Sequence, residues 1–307
     1  MLTTLSNRFK FKLATGQTLR FLNAVTRSLF TCQELQLSRT RFNSTSASKP
    51  SLDFHSTYKL TLPPNPAWNV GDGLTDNDHM WKDIMASKRK SWDFTKLESL
   101  STKDSYRTLV SAIVPRPIAL VSTQAKDGNV PNLAPFSYFS MVSHRPPLIS
   151  ISFSLSPRRP KDTRNNILAT REFTISIISE GFAEAANSTS VESPADTDEW
   201  LISGLTKENS DIVKPPFVRE SAVAMECEDI SVPGSEVPTV TVVLGLIKKL
   251  HVREAVLCED GITVDPAKLR PVARLGGTTY GRLLEGFDLP RPSWRELRDE
   301  YPKLPRP

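Results

Sequence analysis

Residues 148–153, Leu-Ile-Ser-Ile-Ser-Phe, alternate apolar and small polar side chains without a break. A period of two places Ile149, Ile151 and Phe153 on one face and Ser150 and Ser152 on the other, the pattern of a half-buried strand. Phe173, Ile175 and Ile177 alternate in the same way with Thr174 and Ser176. Ile118–Val121 follows a pair of prolines and reads as a strand, and Val237–Ile247 is long and β-branched. Lys126-Asp127-Gly128-Asn129 and, within Ala255–Val264, Glu259-Asp260-Gly261 carry hairpin-turn chemistry. Helical signals are fewer and shorter: Thr163–Thr170 with Asp162 as its cap, Phe182–Asn187 and Asp198–Leu205. Many short strands with a few short helices predict a mainly β protein, a barrel with helical decoration. Strands do not alternate with long helices, which disfavours a doubly wound parallel sheet. Neither G-x-G-x-x-G nor G-x-x-x-x-G-K-[ST] occurs, so a Rossmann or P-loop nucleotide site has no support.

The formal net charge of +5 is concentrated at one end. Residues 1–50 hold eight basic side chains against Glu34 alone, leaving 31 basic and 33 acidic residues, a net of −2, for the rest. A near-neutral folded part argues against a general nucleic-acid footprint. The first 43 residues are Arg-rich, Ser/Thr-rich and almost free of acid, and Leu5, Phe9 and Leu13 recur on one helical face beside Arg8 and Lys12. That is the composition of a mitochondrial presequence, with processing expected near Arg41–Ser44; the alternative is a basic N-terminus without an address, in a cytoplasmic protein. No apolar run approaches the roughly 18 residues that a membrane span needs. Cys227 and Cys258 form no C-x-x-C, Cys32 falls in the presequence, and the four histidines are scattered, so no metal site is expected. His144 and His251 are acid–base candidates by type only, and no catalytic residue is assigned.

Residues 44–105 lack sustained periodicity and are broken by Pro63, Pro64, Pro66, Gly71 and Gly73. Trp68, Trp81 and Trp92 would pin this extension onto the domain that follows. A proline-rich tail, residues 287–307, closes the chain.

Two stretches carry chemistry. Ser154–Asn166, S-L-S-P-R-R-P-K-D-T-R-N-N, gathers cations and hydroxyls where a strand gives way to a helix. Unpaired N–H groups at a helix start favour a phosphate, and Arg158, Arg159 and Lys161 would neutralise it with Thr163 donating a hydrogen bond. Read locally, the loop is more simply an exposed basic turn with an ordinary cap. Asn129–Phe139, N-V-P-N-L-A-P-F-S-Y-F, combines prolines that bar a fully paired ladder, small Ala134 and Ser137, and the aromatics Phe136, Tyr138 and Phe139. A flat ring needs such an apolar slot edged by backbone donors. By periodicity alone, a proline-broken strand whose aromatics belong to the core is the leading reading.

Resemblance separates these readings. Residues 106–286 resemble the flavin reductase-like family, built on the FMN-binding split β-barrel of Greek-key type. The matching stretches run in family order: V-P-R-P-I-A-L-V-S-T (114–123), D-G-N-V-P-N-L-A-P-F-S-Y-F (127–139), R-P-K-D-T (159–163), F-A-E-A-A-N-S-T-S (182–190), E-W-L-I-S-G-L (199–205), K-P-P-F-V (214–218) and D-P-A-K-L-R-P-V-A-R-L-G-G-T-T-Y-G-R (265–282). Asn65–Trp68 and Gly71-Asp72-Gly73 resemble an extension of the family's fungal-type branch. The resemblance implies that Asn132, Leu133, Ala134, Pro135, Phe136, Ser137, Tyr138 and Phe139 line the flavin ring through their backbone. It implies that Ser154, Arg159, Lys161, Asp162 and Thr163 surround the FMN phosphate, with Asp162 capping the helix. Asn187 and Ser190 would lie near the flavin, and Gly276, Gly277 and Tyr280 belong to a late motif. The implied activity is electron transfer from NAD(P)H through FMN to a small-molecule acceptor, in a homodimer. A non-enzymatic FMN-binding or electron-carrier protein of the same fold is the alternative.

Overall fold

A computed structural model describes residues 58–75, 79–96, 100–128, 130–155, 161–232 and 239–304. The presequence reading, Asn129, Arg158 and Arg159 lie outside the described residues. In chain order, β1 (Lys59–Thr61), α1 (His79–Ala86) and α2 (Thr102–Ala112) come first. There follow β2 (Arg116–Pro117), β3 (Ala119–Gln124), β4 (Pro131–Phe136), β5 (Phe139–His144) and β6 (Pro147–Ser154). Next are α3 (Asp162–Thr170), β7 (Glu172–Ile177), α4 (Ala183–Ser188), α5 (Glu199–Ser203), β8 (Lys207–Glu208) and β9 (Phe217–Val218). The chain continues through β10 (Val223–Asp229), β11 (Val240–Val252), α6 (Pro266–Leu269), β12 (Val272–Arg274), β13 (Tyr280–Arg282), β14 (Glu285–Phe287) and α7 (Trp294–Leu297).

Seven strands form one sheet in the order β4-β3-β7-β10-β11-β6-β5, every pair antiparallel. β4 and β5 stand at opposite edges, yet only Ser137 and Tyr138 separate them in the chain. In a flat sheet those edges would be roughly 29 Å apart at about 4.8 Å per strand, whereas a two-residue link reaches about 11 Å. The sheet therefore curls back on itself and brings β4 close to β6, while the Ser152 N–H donates to the Tyr138 carbonyl at 2.9 Å and carries the β5–β6 pairing back into the link. This is the split barrel that the resemblance implies.

The alternation of β6 holds: Ile149, Ile151 and Phe153 are buried, against Ala119, Val121, Phe173, Ile175 and Val243. β3 is buried on both faces, because Ile118 and Leu120 turn the other way, into a second cluster with Leu133, Phe182, Trp200 and Val218. The α4–α5 layer thus covers the outer face of β3 and β4. β11 runs further than the sequence suggests, to Val252, and Gly245 in its middle admits the Phe173 and Ile149 side chains. The Lys126–Gly128 turn joins β3 to β4, with Gly128 at φ +75°. The second expected hairpin is reduced to a single bridge, Leu257↔Val264, after a short 3-10 turn at Glu254–Val256.

Residues 58–112 depart from the sequence reading. α1 and α2 are helices there, and α2 is capped by the Ser101 hydroxyl, which accepts from the Asp104 N–H at 3.1 Å. Trp68 and Trp81 are about half exposed, and the Trp68 indole N–H donates to the Gly73 carbonyl at 2.8 Å, within the extension itself. The attachment is backbone: β1 pairs in parallel with β14, and α2 is tied down by buried Arg116, which donates to the Ile113 carbonyl at 2.7 Å and the Leu275 carbonyl at 2.9 Å. Gly276 lies against Ser111 of α2 so closely that a Cβ would stand 3.0 Å from the Ser111 Cβ. No helix of the described residues is long and apolar enough to cross a membrane.

Candidate functional site

Three walls enclose a cleft of about 460 Å³: β4 with Asn132, Ala134, Pro135 and Phe136; the start of α3 with Lys161, Asp162 and Thr163; and the Thr189–Ala195 loop leading to Glu199. β4 is an unbroken six-residue strand despite Pro131 and Pro135. The reason is directional. The Leu133 N–H points off the sheet edge, to Glu199 Oε2 at 3.3 Å. Pro131 and Pro135 share its parity, so the missing N–H groups cost no ladder bond.

The walls are joined by buried hydrogen bonds. Thr163, 2% exposed, donates its hydroxyl to Asn132 Oδ1 at 2.6 Å. Asn132 Nδ2 donates to Glu199 Oε2 at 3.3 Å, which fixes the amide orientation because a carboxylate only accepts. Ser193 Oγ donates to Glu199 Oε1 at 2.7 Å. The phosphate role expected of the Thr163 hydroxyl is thereby altered: its proton is committed to Asn132. The helix cap is corrected too. Lys161 is the N-cap, Asp162 is the first helical residue, and the Lys161 side chain offers no acceptor to the first turn. Lys161 itself is exposed at the mouth. A helix start without a capping side chain, with a cation beside it, suits an anion.

The structure brings together Asn132, Ala134, Pro135, Phe136, Lys161, Asp162, Thr163 and Ser190 around this cleft. The side chains of the other described residues lie outside this lining. The Leu133 side chain is fully buried in the core under α4 and α5. The Phe139 ring packs into the barrel core, and Phe136, though it borders the cleft, sets its ring edge-on to Phe153 at 4.7 Å. The expected aromatic walls are therefore mainly core. Ser137 faces Arg116, and Tyr138 is exposed, with burial and the nearby Tyr106 raising its phenol pKa against the opposing charge of Arg116. Ser154 is exposed at the end of β6, beyond the lining.

Asn187 lines a second, neighbouring cleft of about 660 Å³ with Glu180, Glu184, Arg274, Tyr280 and Arg282, and Ser190 borders both. Tyr280 donates its phenol proton to Asn187 Oδ1 at 2.8 Å, and the Arg274 guanidinium lies 4.5 Å over the Tyr280 ring. Glu180 pairs with Arg270 at 2.8 Å and Arg282 at 3.3 Å.

Glu199 was missed by sequence reasoning, since an acid in the first turn of a short helix reads as ordinary dipole compensation. Elsewhere, Asp211, Glu226 and His251 converge closely enough to share an ion. The Glu226 oxygens are already taken by the N–H groups of Asp211, Ile212 and Val213, at 3.0, 2.6 and 3.0 Å, and by His251 Nε2 at 2.7 Å. This cluster clasps the 211–213 turn onto the sheet.

The flavin reductase-like domain model matches residues 111–262. An uncharacterised protein of Halalkalibacterium halodurans is 38% identical over 208 residues, covering 66% of this chain and 98% of its own length. The crystal structure of nitrilotriacetate monooxygenase component B from Bacillus cereus is 32% identical with a TM-score of 0.60, covering 66% of this chain and all of that one. A split-barrel protein of Shewanella frigidimarina assigned as a flavin reductase is 25% identical with a TM-score of 0.56, covering 67% of this chain and 99% of that one. The chain belongs to the flavin reductase-like family and has its split-barrel fold.

Proposed function

We propose that the chain binds FMN in the cleft between β4 and the start of α3, and passes electrons from NAD(P)H through it to a small-molecule acceptor. The observation that carries this reading is the Thr163–Asn132 contact, which brings the anion-suited helix start and the flat edge of β4 to one cleft. The residues present fit the mononucleotide. Lys161 and the first-turn N–H groups of α3 would hold the phosphate, and Arg159 would join them; the backbone of Asn132–Phe136 would edge the ring. Bound flavin supplies the two-electron redox chemistry. The chain's own part is to orient the ring against β4, to keep water from its buried side, and to hold a donor or acceptor in the Asn187–Tyr280 cleft that meets the first at Ser190. No side chain needs to act as general acid or base.

The test is a visible spectrum of the purified full chain titrated with FMN, recorded without oxygen before and after NADH and NADPH. The reading expects FMN uptake and bleaching by at least one nucleotide. FMN uptake without bleaching by either would move the protein to the electron-carrier alternative, and no uptake would overturn the reading.

Two further parts of the proposal concern setting. The basic, acid-poor residues 1–43 support mitochondrial import, checked by processing in isolated mitochondria. A homodimer is proposed by family analogy, checked by light scattering of the purified chain.

A further inference from the structure

Glu199 is a carboxylate only 4% exposed, bordering the cleft, and among the described residues no cation pairs with it. A buried charge in that position is costly unless hydrogen bonds satisfy it. Its two oxygens are satisfied from opposite sides: Oε2 by the Asn132 amide and the Leu133 N–H of β4, and Oε1 by the Ser193 hydroxyl of the loop. The Asn132 amide is in turn held by Thr163 of α3. One carboxylate therefore stands at the junction where all three walls of the cleft are tied together. An apolar side chain of this size would fill the same space without linking the loop to the strand.

We propose that Glu199 is the positioning residue of the flavin cleft, clamping the Ser193 loop to β4 so that the walls are already closed around the ring before the flavin arrives. The inference rests on the FMN reading above and deepens it. The clamp lies on the β4 side, and the phosphate ligands lie at the helix start. Its loss must therefore weaken FMN and riboflavin alike, unlike loss of a phosphate ligand. Ser193 reaches β4 through Glu199, so removing both must be non-additive.

The experiment titrates the full-length parent, Glu199→Gln, Ser193→Ala and the double variant with FMN and with riboflavin, and records visible circular dichroism at saturation. Glu199→Gln keeps the volume but gives up one acceptor and the charge. It is expected to weaken both flavins about tenfold, the loss of a charge-assisted bond, and to alter the dichroism of bound flavin. Ser193→Ala is expected to weaken both flavins less, and the double variant to bind no worse than Glu199→Gln. Parent-like affinity in Glu199→Gln, or losses that multiply in the double variant, would overturn the inference. If Glu199→Gln does not fold, Ser193→Ala decides alone: it lies at the half-exposed rim, and unchanged affinity for both flavins refutes the clamp. A parent that binds no flavin refutes the function reading instead, so the two failures are distinguishable.

Discussion

Thr163 and Asn132 are bonded at 2.6 Å although 31 positions apart, one opening α3 and the other lying in β4. Both are buried, and the only other donor to Asn132 Oδ1 among the described residues is Thr123 at 3.4 Å. Thr163→Val removes the short bond and leaves a buried acceptor weakly served. It should cost about 1–3 kcal/mol of stability, read by urea unfolding. Both FMN and riboflavin should weaken, because the β4 wall itself loosens.

Lys161 is a different case, exposed at the N-cap with its charge at the mouth of the cleft. Lys161→Ala should weaken FMN by about 10–150-fold, the worth of a charged hydrogen bond, and leave riboflavin unchanged. Equal loss for both ligands in paired fluorescence titrations would contradict a phosphate at this helix start.

The second cleft predicts a separation of effects. Tyr280→Phe deletes the bond to Asn187 without touching β4 or α3. Steady-state kinetics should show a higher KM for the nicotinamide donor, by about 3–10-fold for one neutral hydrogen bond, with FMN affinity as in the parent. A change in FMN affinity with an unchanged KM would place the donor elsewhere.

Glu226 sets an acid limit on stability. Burial alone would raise its pKa, but the N–H of Asp211, the His251 ring and the N–H groups of Val213 and Ile212 outweigh burial and hold it at about 2, against a reference of 4.5. A carboxyl whose folded pKa lies below its unfolded one stabilises fully above the unfolded value and loses that contribution as pH falls toward the folded one. Urea midpoints should therefore drop between about pH 4.5 and pH 2, and Glu226→Gln should flatten that part of the profile. An identical slope in the variant would show that other carboxyls set the limit.

Gly245 leaves no room for a side chain in the barrel core. A Cβ there would stand 2.6 Å from Phe173 Cζ and 2.7 Å from Ile149 Cδ1. Gly245→Ala should destabilise by about 1–3 kcal/mol through overpacking, seen as a lower thermal midpoint with an unchanged far-ultraviolet spectrum.

What the sequence made legible follows from where each signal resides. Ile149, Ile151 and Phe153 revealed β6 because alternation is a local record of a face pressed on a core. Pro131 and Pro135 obscured β4, since their cost depends on which way the N–H points, and only the pairing with β3 reveals that. α2 was invisible because it buries Val110 alone and leaves a polar surface. Within the cleft, Asn132, Lys161 and Thr163 were reached through motif resemblance, not through periodicity. Glu199 was not, because its partners Asn132 and Leu133 lie 67 and 66 residues away, a closeness that only the curled sheet creates. The Phe139 ring, which on its chemistry could be an aromatic wall or a core residue, packs into the core; the resemblance implied a backbone contact there, which does not depend on where the ring points.

The account stands on one mononucleotide bridging β4 and the start of α3, and a crystal structure of the full chain grown with FMN reads that directly. The phosphate should lie against the first-turn N–H groups of α3 beside Lys161, with the ring along Asn132–Phe136. Flavin density with its phosphate away from that helix start, or its ring away from β4, would contradict the account.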